Sequence, residues 1–184
     1  MKTFHCTCGN TLYFPNSLCL ACNRAVGYLP DEKQLSAIVP AATGHLLATY
    51  NGRQYKKCKN YSDYDVCNWL VPIEDAQDYC VSCRLNQIIP NLNEPKNITL
   101  WYRIEQAKRH LLYTLFSLHL PVLNRSEDPV HGMGFEFMED ETAYDEFTNE
   151  LTTKRSVITG HNAGIITINL LEAQPSKRVK MREE

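Results

Sequence analysis

Eight cysteines fall along this chain in two groups of four, and thiolates at these spacings are metal ligands. The first group is Cys6, Cys8, Cys19 and Cys22, within CTCGNTLYFPNSLCLAC. The second is Cys58, Cys67, Cys80 and Cys83, spaced C-x8-C-x12-C-x2-C. Each group contains one Cys-x-x-Cys, in which a single tight turn aims two sulfurs at one ion. Zinc takes four thiolates tetrahedrally at about 2.3 Å, so two closed sites consume every cysteine in the chain. Disulfides and an iron–sulfur cluster are the competing uses of the same residues. Sequential grouping is expected over an interleaved one, because each group has its own Cys-x-x-Cys and the groups lie far apart. A site closed by four thiolates has no open position for water, so the two Zn²⁺ ions expected here are structural.

The flanking residues show how these sulfurs are positioned. Gly9, after Cys8, permits the left-handed backbone that a metal-binding turn uses. Leu12, Tyr13 and Phe14 read as a short strand closed by Pro15-Asn16. A segment as short as residues 1–30 cannot bury a core, so metal binding would supply its folding free energy. Leu46–Tyr50, Asn51-Gly52 and Arg53–Lys57 read as a hairpin with a type I′ turn, delivering Cys58 to the second site. Trp69, Leu70 and Val71 are expected to pack as a strand over that site. The expected organisation is a zinc ribbon over 1–30, a second four-cysteine module over 31–95, and an α+β domain over 96–184. The boundary is placed in the Pro-punctuated segment 84–96.

The charge balance narrows the function classes. A formal net charge of -2, with 22% charged residues, gives no electrostatic case for a nucleic-acid partner. The basic cluster Arg53, Lys56, Lys57 and Lys59 reads as a solvated strand face rather than a phosphate site. The N-terminus carries no apolar signal region, and no uncharged run approaches a membrane span. A reducing, cytoplasmic compartment is expected, where paired Cys-x-x-Cys motifs mean metal more often than disulfides.

Downstream, the pattern turns helical and then extended, which makes the fold class α+β: a long helix on a small, mostly antiparallel sheet. Leu100, Ile104, Ala107, Leu111, Leu115 and Leu118 recur at helical spacing over 97–119, with Asn97 as N-cap and Pro121 as stop. His110 and His119 lie beside that stripe. Glu105 and Arg109 stand four apart with the acid first, the favoured ion-pair order. Phe135 and Phe137 alternate as on a half-buried strand. The acidic stretch 139–150 reads as a solvated loop or short helix. Two strands, 156–159 and 165–170, flank a turn at 160–164, and Pro175-Ser176 begins a charged helix.

Assembled, these residues resemble a bacterial family of zinc-ribbon metallopeptidases. The resemblance runs through LYFPNSLCLAC, CNWLVP at 67–72, CVSCRLNQIIPNL at 80–92, AKRHLLYTL at 107–115, GFEF at 134–137 and TGHNAGIITINLLEA at 159–173. It implies a zinc-binding N-terminal part followed by a zincin-like protease half. In that family an HExxH helix, which holds a catalytic zinc, follows the segment matching 165–184. No HExxH occurs here, so no catalytic residue is assigned. The chain is expected to be the N-terminal piece of a longer enzyme, or a shortened product, inactive by itself.

His161 and Asn169 are the candidate residues of a substrate cleft, with 165–170 as a strand edge for a peptide; the plainer alternative is a turn histidine and a strand asparagine. The competing function is a non-catalytic zinc-ribbon module that binds protein or nucleic acid. The partners expected are a peptide substrate or a catalytic segment not contained here, and exposed strand edges at 156–170 predict some self-association.

Overall fold

The computed structural model describes residues 2–144 and 151–183 and divides into two units, 1–84 and 85–184. In the first unit, β1 (Phe4–His5) and β2 (Thr11–Leu12) form a small antiparallel ribbon in which Phe4 pairs with Leu12. A five-stranded antiparallel meander follows: β3 (Val26–Leu29), β4 (Gln34–Pro40), β5 (Leu46–Ala48), β6 (Gln54–Lys57) and β7 (Leu70–Pro72). A short helix, α1 (Lys59–Ser62), lies between β6 and β7. Tyr28 of β3 bridges in parallel to Trp69, so the two ends of the meander meet.

That closure builds the core of the unit. Tyr28 lies against Trp69 with ring centroids 4.8 Å apart, and Phe14 meets Tyr28 edge-on at 5.0 Å. Phe4 completes the aromatic set, 6.5 Å from Phe14. All four side chains are buried. Gly27 is required at this junction: a Cβ there would stand 2.5 Å from Cγ of Leu70.

The β5–β6 hairpin forms as expected, with Leu46 opposite Tyr55 and Leu47 opposite Gln54. Its turn differs. Ala48 N–H bonds to Arg53 C=O at 3.0 Å, enclosing four residues, and of the Asn51-Gly52 pair Gly52 alone takes a left-handed φ, +70°. Asn51 instead turns its amide to Tyr55 Oη and Glu32 Oε1, at 3.0 and 3.1 Å. Those side-chain bonds favour the longer loop over a type I′ turn.

The second unit contains β8 (Asn86–Ile88), α2 (Pro95–Ser117), β9 (Gly134–Met138), β10 (Glu141–Tyr144), β11 (Leu151–Arg155), β12 (Gly160–Asn162), β13 (Ile165–Asn169) and α3 (Pro175–Glu183). Its main sheet runs β12-β13-β9-β8; β12 and β13 form a hairpin, while β13–β9 and β9–β8 are parallel. The other strand pairings are antiparallel, and with α2 the class is α+β. The segment 84–96, read as a plain connection, contains β8. The turn placed at 160–164 is tighter than expected. Asn162 pairs with Ile165, and Ala163 and Gly164, at φ +46° and +86°, make the two-residue turn. Part of the acidic stretch is strand, as β10; residues 145–150 lie outside the described residues.

Helix α2 starts two residues before the expected cap. Glu94 is the N-cap and Pro95 fills the first turn, where its missing N–H costs nothing. Asn97 sits within the helix, its amide donating to Asn91 C=O and Glu139 Oε2. The buried face also differs from the leucine stripe: Leu100, Trp101, Ile104 and Leu112 are buried, while Leu111 and Leu118 are exposed. The pair Glu105 and Arg109 is fully buried, together with Lys108. Glu105 Oε1 accepts from Lys108 Nζ at 3.0 Å, Asn86 Nδ2 at 2.7 Å and Trp101 Nε1 at 3.2 Å. Lys108 also bonds Asn86 Oδ1 and lies 5.4 Å from the ring centroids of both Phe135 and Phe137. Polar pairing thereby joins α2 to β8 and β9 in place of part of the apolar stripe.

Candidate metal centres

The cysteines gather as two groups in sequential order: Cys6, Cys8, Cys19 and Cys22, then Cys58, Cys67, Cys80 and Cys83. Within each group every sulfur lies within 4.8 Å of the others. The first is built by two turns. Cys6 N–H bonds to Asn10 C=O and Gly9 N–H to Cys6 C=O, both 2.9 Å, with Gly9 left-handed at φ +88°. Asn23, at φ +54°, closes the other turn by donating to Cys19 C=O at 2.8 Å. In the second, β6 leads into Cys58, Cys67 precedes β7, and Cys80 and Cys83 flank a turn closed by Arg84 N–H to Cys80 C=O at 3.0 Å.

These distances test the choice among disulfides, thiols and metal. The Sγ–Sγ separations are 3.7 Å for Cys6–Cys22, 3.6 Å for Cys8–Cys19 and 3.8 Å for Cys67–Cys80. A disulfide requires about 2.05 Å. Four sulfurs placed tetrahedrally about 2.3 Å from one centre stand about 3.8 Å apart. These three pairs have the spacing of a zinc tetrahedron, the remaining sulfurs of each set lie within 4.8 Å, and all eight cysteines are free.

The surroundings suit thiolates. Trp69 N–H points to Cys67 Sγ and Cys80 N–H to Cys58 Sγ, both at 3.4 Å; Asn10 Nδ2 lies 3.7 Å from Cys19 Sγ. The amide of Cys22 holds the Cys19 thiol down at about 6. Against an amide from Arg24 that lowers it, desolvation and the other three sulfurs push Cys22 up to about 11. Burial, then the three neighbouring sulfurs, push Cys80 well above the usual thiol range. Four thiolates at such a site repel one another; a bound dication offsets that repulsion and replaces the protons.

The two centres share one scaffold. Asn68, buried beside Cys67, donates from Nδ2 to Phe14 C=O at 2.7 Å and Asn16 C=O at 3.1 Å. Tyr61, in the helix after Cys58, donates to Val26 C=O at 2.9 Å, and desolvation pushes its hydroxyl up to about 12. Side chains of the second cysteine segment thus fasten the backbone of the first. From sequence alone Asn68 has no role beyond its place in CNWLVP, and Tyr61 stands only as one of the aromatics that a binding module could use.

The profile of a zinc-ribbon domain matches residues 3–94, and that of the family described as "Putative zinc-binding metallo-peptidase" matches residues 97–184. The chain belongs to the zinc-ribbon family, and its second part is similar to the metallo-peptidase family. Uncharacterised proteins of Mycobacterium tuberculosis and Mycobacterium bovis are 32% identical to it over 185 residues, across 100% of this chain and 47% of each relative. The chain spans about half the length of the curated relatives it matches. No solved structure matches it. Zinc binding is a property of both families, and both cysteine sets fit the ion.

The two cleft candidates part company. His161 is exposed on β12, the edge strand of its sheet. Asn169 is fully buried: its Nδ2 donates to Asp140 Oδ1 at 2.8 Å and Val157 C=O at 2.9 Å, and its Oδ1 accepts from Leu171 N–H at 2.9 Å. Its side-chain polar atoms are committed to Asp140, to Val157 and to the turn that follows β13, so it offers nothing to a cleft. Residues 165–169 are not an edge either, since β13 lies between β12 and β9.

Three of the four residues of the basic cluster are engaged by neighbours. Arg53 meets Asp31 at 2.7 Å, Lys56 meets Asp78 at 3.5 Å, and Lys57 sits 4.1 Å above the Tyr61 ring. Among the described residues no helix is long and apolar enough to cross a membrane.

Proposed function

We propose that this chain is the zinc-binding, substrate-side portion of a metallo-peptidase, with two structural Zn²⁺ ions, one in each cysteine set, and no hydrolytic activity by itself. The observation that carries the reading is the pair of four-sulfur sets at tetrahedral spacing, which saturates each zinc with protein ligands. A catalytic zinc keeps a position for water, and no HExxH occurs within these 184 residues to provide one. The proposed partners are a peptide, held at the β12 side of the second unit near His161, and a polypeptide segment that supplies the catalytic zinc site. A separate nucleic-acid module is disfavoured because Arg53, Lys56 and Lys57 are engaged by Asp31, Asp78 and Tyr61. Exposed edge strand β12 supports weak self-association, read by light scattering.

The test is direct. Purified chain is assayed for zinc and for cleavage of unfolded casein with added Zn²⁺. Two zinc per chain without cleavage is expected; cleavage that follows the purified chain and is abolished by chelation would overturn the reading.

A further inference from the structure

A groove of about 450 Å³ in the second unit is not used by the cysteine centres. Its floor carries Glu136 of β9. The Glu136 carboxylate accepts a hydrogen bond from Thr167 Oγ1 of β13 at 2.9 Å. These two residues are register partners, so they stand side by side on one face of the sheet. The third position of that row is Gly160, opposite Thr167, and a Cβ there would meet nothing within 4 Å. The row therefore opens toward the edge strand and leaves the carboxylate accessible from that side.

Apolar walls flank it. Met138, two residues beyond Glu136, lies on the same face, and Ile158 is 84% exposed at the side of the groove. His161 stands at the rim. Among the described residues no lysine or arginine pairs with Glu136; the rim guanidinium, Arg155, pairs with Glu141 at 3.7 Å. A half-buried carboxylate with a hydroxyl donor and apolar walls is complementary to a long aliphatic stem that ends in a cation.

We propose that this groove binds a lysine or arginine side chain of a peptide, the cation on Glu136 and the stem along Met138 and Ile158. The proposal rests on the substrate-side reading above and adds the class of side chain recognised. The test uses the full zinc-loaded chain, ¹⁵N-labelled, titrated with the blocked peptide Ala-Ala-Lys-Ala-Ala and its norleucine counterpart. With the lysine peptide, amide shifts are expected in β9, β12 and β13. Affinity is expected to be about tenfold weaker for norleucine and for Glu136→Gln, the scale of one charge-assisted hydrogen bond. Thr167→Val, which frees the carboxylate to turn, is expected to weaken the lysine peptide and leave norleucine unchanged. Equal binding of both peptides would overturn the role of Glu136 and leave the peptide cleft standing. No shifts with either peptide, in a sample holding its zinc, would overturn both.

Discussion

Asn68→Ala tests whether the two zinc centres depend on one scaffold. The substitution deletes two buried hydrogen bonds, to Phe14 C=O at 2.7 Å and Asn16 C=O at 3.1 Å. Each neutral bond contributes about 1 kcal/mol net, and a buried carbonyl left without its donor costs about 1–3 kcal/mol. One term opposes this: Asn68 Oδ1 is buried without a partner among the described residues, and removing it recovers about 1 kcal/mol. The expected net loss is about 2–3 kcal/mol, a 30- to 150-fold shift toward the unfolded form. The assay is urea unfolding of the zinc-loaded chain followed by tryptophan fluorescence, with Trp69 adjacent to the lesion. Zinc release to a chromogenic chelator is expected to accelerate at both centres, including the first, whose ligands lie at least 46 positions from residue 68. A stability change under about 0.5 kcal/mol, or faster release from the second centre alone, would refute the shared scaffold.

The remaining predictions test other parts of the account. Gly27→Ala forces a methyl against the fully buried Leu70; a loss of about 3 kcal/mol is expected in the same urea assay, and a wild-type midpoint would contradict the packing. Glu105→Gln removes the anion from a buried set that keeps Lys108 and Arg109, and about 3–5 kcal/mol is expected to be lost; an unchanged stability would show that Lys108 is satisfied by Asn86 and the Phe rings alone. The first centre exposes Cys8 and part of Cys22, whereas all four cysteines of the second are buried. Chelation with a cysteine-alkylating reagent is therefore expected to label Cys6, Cys8, Cys19 and Cys22 before the other four; simultaneous labelling by mass spectrometry would refute that order.

Local chemistry was legible in the sequence because it is set by short spacings. Each Cys-x-x-Cys, the left-handed Gly9, the β5–β6 hairpin and the alternation of Phe135 and Phe137 can be read within a dozen residues. Long-range pairing was not. Nothing in local pattern says that Tyr28 pairs with Trp69, or that Asn68 reaches back to Phe14. Helix α2 misled in a specific way. Its apolar period marks a face, and the spacing of Glu105 and Arg109 marks an ion pair, but the burial of that pair with Lys108 is not visible locally, because it also depends on a partner elsewhere in the chain. Here the partner is Asn86, nineteen residues before Glu105. Asn169 failed as a cleft residue for the same reason: its bonds to Asp140 and Val157 cross the fold.

The central claim is that the eight sulfurs hold two metal ions. Native mass spectrometry of the purified chain, with metal content measured in parallel, tests it most directly. Two zinc per chain is predicted, with all eight thiols protected from alkylation until a chelator is added. A metal-free chain whose cysteines are oxidised in pairs, or freely alkylated while folded, would contradict it.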